Sequence, residues 1–361
     1  MPRTTIRPRR SGALAIGAAL AGALALAPQS ASAHPSFGEY DASELAAVCT
    51  GASPVVCVFP DLPTGHYDVS VVLGDAAAAG ETEVQAEARR LMLDAVATDA
   101  GAFERRSFTV NVRDPEGQQN QPAGTGAAGL TLTFAGATPQ VESIRITPAN
   151  RRTQLVALVG DSTVTDQEGA PYAGWGQRLP AFFDRGVSVV NHSGSGESTV
   201  SQLAKPEMFD ALVPQLDRGD VVLIQLAHND KTTIAEDYRA NLGTMIDRVR
   251  ARGATAVLVT PIVRHRFGSD GQLNSTGLIV TGLADLPAEM RAVAAEKDAP
   301  LIDLTARSEA LVEGLGQTDS EPIYLIRVNG DRTHTSEYGA GVYAGIVAEE
   351  LHALGLVDDW R

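Results

Sequence analysis

One stretch limits the possible folds more than any other. The apolar run Val156-Ala157-Leu158-Val159 ends abruptly in Gly160-Asp161-Ser162-Thr163-Val164. A short apolar run without alternation, bounded by turn residues, reads as a strand buried on both faces of a parallel sheet. In open parallel sheets, ligand and catalytic groups sit at the carboxyl ends of the strands. Ser162 therefore stands at the mouth of a site. A serine hydroxyl is a weak nucleophile and needs a base within hydrogen-bond reach.

The chain from residue 151 onward fits such a sheet. Strand-like runs at 155–159, 187–190, 221–226, 256–260 and 301–304 alternate with helical stretches at 177–184, 234–252 and 337–354. In the second of these, Ile234, Tyr238, Leu242, Met245 and Val249 fall on one helical face, and Gly253 suits the residue past its end. Strands alternating with helices predict an α/β doubly wound parallel sheet. Residues 34–150 read differently. Short β-rich runs at 55–59, 67–73, 108–112, 130–134 and 141–146 are separated by Gly, Pro and Asp, the pattern of an all-β sandwich. Residues 118–129 read as a polar, Gly-rich loop and residues 147–152 as a linker.

Residues 1–33 read as a signal peptide. Arg3, Arg7, Arg9 and Arg10 precede an apolar stretch at 13–27 that is too short to span a bilayer, and Ala31-Ser32-Ala33 is a small-residue cleavage pattern. A secreted chain beginning at His34 is expected. Removing the four arginines takes the formal charge from −15 to −19. That balance argues against nucleic acid, which demands basic patches, and against stable membrane association after cleavage. It leaves a polyanionic substrate open, because a local basic site can outweigh a distant field that salt screens. Export permits a disulfide between Cys49 and Cys57, with two free buried thiols as the alternative.

The base candidate is His334, in Asp331-Arg332-Thr333-His334. An Asp three residues before a His can reach its Nδ1 proton and turn Nε2 toward the serine. The third strand ends in His228-Asn229-Asp230, where the Asn229 amide could face an oxyanion; Asn beside Asp is also ordinary turn chemistry. After the second strand, Gly194 and Gly196 would let a backbone N–H approach the same point.

The order of these blocks resembles the SGNH, or GDSL-type, hydrolases, and more closely their rhamnogalacturonan acetylesterase group. The matching stretches are Gly160-Asp161-Ser162-Thr163-Val164, Ala173-Gly174-Trp175-Gly176-Gln177, Val189-Val190-Asn191-His192, His228-Asn229-Asp230, 258–264 and Asp331-x-Thr333-His334-x-Ser336-Glu337-Tyr338-Gly339-Ala340. A softer match, residues 66–75, extends into the first region, where bacterial members carry a galactose-binding-like β-sandwich. The resemblance implies Ser162 as nucleophile and His334 as base, oriented by Asp331. It also implies an oxyanion hole from the Ser162 N–H, a glycine N–H and Asn229, the register favouring Gly196. Two departures stand out. Ala227 replaces the usual glycine, and Glu197 stands where relatives often carry arginine. The second puts the anionic pectic substrate in question, although Arg264, His265 and Arg266 offer local positive charge. His228 is a further candidate substrate contact.

Competing motifs fail. The serine lacks the second glycine of Gly-x-Ser-x-Gly, no dinucleotide or phosphate-binding glycine pattern is complete, and the seven histidines show no zinc spacing. No metal or cofactor is expected. Trp175 reads as core or as a sugar platform. The expected activity is removal of acetyl groups from a plant cell-wall polysaccharide, rhamnogalacturonan first. The alternatives are the same chemistry on acetylated xylan or a short acyl ester, or a catalytically idle carbohydrate-binding protein.

Overall fold

The parallel sheet lies in the second half of the chain, and an antiparallel layer pair precedes it. The structure, a computed structural model, describes residues 38–114, 116–121 and 126–361; the expected signal peptide lies outside them. In the first region β1 (Gly38–Tyr40), β2 (Cys49–Thr50), β3 (Val55–Phe59), β4 (Gly65–Leu73), β5 (Gly80–Ala86), β6 (Arg90–Thr98), β7 (Glu104–Val112), β8 (Leu130–Thr138) and β9 (Ser143–Pro148) form two sheets. Their orders are β1-β9-β4-β7 and β2-β3-β8-β5-β6, with antiparallel neighbours throughout. Alternate residues point inward, as side-chain period two requires. Tyr67, Val69, Val71 and Leu73 of β4 meet Leu130, Leu132 and Phe134 of β8 in one buried cluster. Cys49 and Cys57 sit directly opposite each other on β2 and β3 and are bonded.

The second region holds β10 (Gln154–Gly160), β11 (Val187–Asn191), β12 (Val221–Gln225), β13 (Thr255–Val259) and β14 (Leu301–Ile302), all parallel, in the order β11-β10-β12-β13-β14. This is the flavodoxin-like order, with its switch point beside β10. Val156 and Leu158 pack on Trp175, Leu179 and Tyr343 on one face. Leu155, Ala157 and Val159 pack on Tyr238, Leu242 and Met245 on the other. Both faces are covered, which is why the strand reads as an unbroken apolar run. Trp175 is core: it is fully buried and its Nε1 donates to Gln225 Oε1 at 2.8 Å.

The expected helix at 177–184 is shorter and mixed. An α-turn at Trp175–Arg178 gives way to a 3₁₀ turn at Leu179–Phe182, where Pro180 has no N–H to donate. Helix Ala235–Arg250 matches its expected span, and Gly253 takes a left-handed φ of 81° beyond it. The segment expected as a linker is a tight turn instead, with Thr153 N–H on the Asn150 carbonyl at 2.9 Å, joining β9 to β10. The described residues from Gly38 to Arg361 belong to one compact unit. Across its two regions, the Gly186 N–H donates to Thr109 Oγ1 at 3.0 Å and His66 Nδ1 lies 2.9 Å from Ser188 Oγ. No helix of the described residues is long and apolar enough to cross a membrane.

Candidate active site

Gly160 closes β10, and the chain turns at once. A Cβ at Gly160 would lie 2.5 Å from Val164 Cγ2, so only glycine permits the turn. Asp161 builds it: Oδ1 accepts from the Thr163 N–H at 2.9 Å and from Thr163 Oγ1 at 2.8 Å. Its other oxygen lies 3.1 Å from His228 Nδ1, and His228 Nε2 lies 3.0 Å from the Ile262 carbonyl. Burial works to raise the Asp161 carboxyl, but His228 and the Thr163 donors outweigh it and hold the group below the ordinary carboxylate range. The Ser162 carbonyl accepts from Gln167 Nε2 at 2.9 Å and from the Tyr172 hydroxyl at 3.2 Å. The Ser162 peptide plane is thus held from two sides.

Ser162 Oγ lies 2.9 Å from His334 Nε2, and His334 Nδ1 lies 2.6 Å from Asp331 Oδ2. The other Asp331 oxygen accepts the Thr333 and His334 N–H groups at 2.8 and 3.1 Å. Burial works to raise the Asp331 carboxyl; the His334 hydrogen bond and these backbone donors more than offset that and keep it ionised. The loop is anchored by Thr335 Oγ1, which donates to the Ala173 carbonyl at 2.5 Å, and by the Ser336 side chain capping helix Glu337–Ala353. Tyr172 packs its ring on His334, with centroids 4.9 Å apart.

Asn229 Nδ2 donates to the Glu197 carbonyl at 3.0 Å, which ties the amide to the loop carrying Gly196. Gly196 takes φ of 83°, and a Cβ there would meet nothing within 4 Å, so glycine serves backbone conformation rather than packing. Neither the Ser162 nor the Gly196 N–H makes a hydrogen bond among the described residues. Ser162, Asn229 and His334 line one cavity of about 270 Å³ together with Lys231, Arg264 and Arg266. A second lobe of about 520 Å³ shares His228, Lys231, Arg264 and Thr276 and runs on to Gly282.

One expected substrate contact, His265, is corrected, and a second, His228, is placed in the cleft wall. His265 is fully buried; Nε2 donates to the Gln317 carbonyl at 2.8 Å and Nδ1 faces Arg332 at 3.1 Å, so it supports the loop from behind. His228 reaches the cleft wall, but both its ring nitrogens are engaged inside the protein. Glu197 does not line the cleft. Its carboxylate is buried and held by Lys205 Nζ and Ser201 Oγ at 2.5 Å each and Asn120 Nδ2 at 2.7 Å. Three participants escaped the reading of the sequence: Gln167, Tyr172 and Lys231. Only Lys231 had a signal, its position one residue beyond the Asn229-Asp230 pair.

A serine hydroxyl, a histidine oriented by an aspartate and free N–H donors at the carboxyl edge of a flavodoxin-like sheet are an arrangement suited to acyl transfer. The model of the GDSL-like Lipase/Acylhydrolase family matches residues 158–340, and the chain belongs to that family. It is a carboxylic-ester hydrolase. Rhamnogalacturonan acetylesterase RhgT of Bacillus subtilis (strain 168) is 36% identical over 217 residues, covering 56% of this chain and 90% of its own. The uncharacterized esterase YxiM of the same organism is 30% identical over 305 residues, covering 82% of this chain and 74% of its own. The crystal structure of B. subtilis YxiM superposes with a TM-score of 0.51 at 25% identity, covering 84% of this chain and 80% of that one.

Proposed function

We propose that the protein is a secreted serine esterase that removes acetyl groups from acetylated rhamnogalacturonan, with Ser162, His334 and Asp331 as its catalytic triad. His334 Nε2 takes the proton of Ser162 Oγ as the oxygen attacks the acetyl carbonyl. Asp331 holds the tautomer and stabilises the imidazolium that forms. The oxyanion is received by the Ser162 and Gly196 N–H groups and the Asn229 amide. His334 then protonates the departing sugar hydroxyl. Water, deprotonated by the same nitrogen, hydrolyses the acetyl-enzyme and releases acetate.

The observation that carries the substrate is the charge of the cleft. Lys231, Arg264 and Arg266 line it, and among the described residues no Asp or Glu does. A pectic backbone brings a uronate carboxylate to the acetylated ring, so a cationic cleft favours it over neutral xylan. The 36% identity to a protein named rhamnogalacturonan acetylesterase points the same way. The test measures acetate release from acetylated rhamnogalacturonan and acetylated xylan by the chain and its Ser162→Ala variant. Release from the pectic polymer is expected, with no turnover in the folded variant. Release from xylan alone would overturn the substrate, and full activity in Ser162→Ala would overturn the mechanism.

A further inference from the structure

The loop after β7 in the N-terminal region reaches the oxyanion loop of the catalytic region. Arg113 anchors its start: Nη2 donates to the Gly117 carbonyl at 2.7 Å and to Asp166 Oδ2 at 2.9 Å, and Nη1 donates to the Asn191 carbonyl. From there Gln118 and Asn120 engage the residues on both sides of Gly196. The Ser195 N–H donates to Gln118 Oε1 at 2.8 Å, and Asn120 Nδ2 bridges the Ser195 carbonyl at 2.9 Å and Glu197 Oε1 at 2.7 Å. Gln118 Nε2 in turn donates to Gln167 Oε1 at 3.1 Å, and Gln167 Nε2 to the Ser162 carbonyl at 2.9 Å. One hydrogen-bonded chain therefore runs from the Ser162 carbonyl, through a side chain of the other region, to the Ser195 N–H one residue before Gly196.

We infer that Gln118 and Asn120 are positioning residues that set the separation between the Ser162 and Gly196 N–H donors. On this view the N-terminal region is part of the esterase's working parts and not an appended binding module. Two further facts agree. A Cβ at Gly194 would fall 2.6 Å from the Asn120 amide, so a larger residue there would displace that side chain, whereas Gly196 is favoured by its φ of 83°. The Glu197 carbonyl holds the Asn229 amide, so the Asn120–Glu197 contact reaches the third donor as well. Oxyanion donors act only when preorganised at the place where charge develops, and a misplacement of about 1 Å can cost a hundredfold.

The inference rests on the oxyanion hole proposed above, and Ser162→Ala separates the two: its inactivity supports the serine mechanism whatever Asn120 does. The full chain is assayed on 4-nitrophenyl acetate, a substrate too small to need the polysaccharide cleft, with rates taken per active site by fluorophosphonate titration. Asn120→Ala and Gln118→Ala should each lower kcat about tenfold or more, with KM within about twofold. Asn120→Asp, nearly isosteric, should lose more than Asn120→Ala, because it sets a carboxylate against the Glu197 carboxylate and the Ser195 carbonyl. A role in packing alone predicts the reverse order. Unchanged kcat per site in both alanine variants, or a milder effect of Asp than of Ala, would overturn the inference.

Discussion

The Asn229 amide illustrates how much of the site's chemistry is orientation. A free Asn side chain samples several rotamers, and an amide that must find the oxyanion during the reaction loses the benefit of preorganisation. Here one N–H is committed to the Glu197 carbonyl at 3.0 Å, which fixes the plane of the group and leaves the other N–H available. Asn229→Ala should therefore lower kcat on a small acetate ester by about a hundred- to a thousandfold with little change in KM. Steady-state kinetics of the folded variant decide it; a loss confined to KM would remove Asn229 from the oxyanion hole. The same logic explains Glu197. A carboxylate one residue from Gly196, the proposed oxyanion donor, would oppose charge development if it faced the cleft. It is instead buried against Lys205, Ser201 and Asn120, and its backbone carbonyl does the useful work.

At the scale of elements, the turn between β5 and β6 carries a cluster of buried charges outside the site. Arg89 Nη1 donates to the carbonyls of Gln167 at 2.9 Å and Tyr172 at 3.2 Å, and Arg90 Nε faces Asp166 Oδ2 at 3.3 Å. Glu87 is buried beside them. Burial, then the nearby Glu116 carboxylate, pushes its carboxyl up to about 8 against the opposing pull of Arg90. The folded chain thus keeps a proton that the unfolded chain has lost above its ordinary value near 4.5. Stability falls as pH rises through that window and levels off above pH 8. Glu87→Gln removes the titration, so its Tm should match the wild type near pH 5 and exceed it near pH 8. Each kcal/mol corresponds to about 2–4 °C in a chain of this size order. Thermal scans at the two pH values test this, and an equal difference at both would refute it. This turn also marks where sequence and structure part. β10, β11 and β12 were legible because burial on both faces demands unbroken apolar runs. β5 and β6 were not: Gly80–Ala86 puts only Thr82, Val84 and Ala86 inward, and Leu91-Met92-Leu93 is rich in good helix formers. Pairing of β5 with β8, and of β6 with β5, makes them strands, and nothing local announces those partners. The convergence of Ser162, Asn229, Asp331 and His334 at one cleft was legible because each follows a strand or precedes a helix. Gln118 and Asn120 were not, because a polar loop does not name the surface it will touch.

The whole molecule carries a formal charge of −15, yet the cleft beside Ser162 is lined by Lys231, Arg264 and Arg266. These fields act over different distances. Repulsion of a polyanion by the acidic surface is long-ranged and is screened once the Debye length falls to about 10 Å at 0.1 M salt. Attraction between a bound uronate and cations in the cleft acts at contact and is screened less. Raising ionic strength from about 10 mM toward 0.1 M should thus increase kcat/KM on acetylated rhamnogalacturonan, before higher salt weakens the cleft contacts and lowers it again. Acetylated xylo-oligosaccharides without uronate branches, being neutral, should give a flat profile over the same range. Lys231→Gln should depress the pectic profile at every salt concentration while leaving 4-nitrophenyl acetate hydrolysis within about twofold of the wild type, because the lost contact lies with the polymer and not with the reacting carbonyl. A pectic profile as flat as that on the xylo-oligosaccharides, together with an unaffected Lys231→Gln variant, would mean that the cleft cations do not meet substrate charge, and the preference among glycans would then have to come from shape.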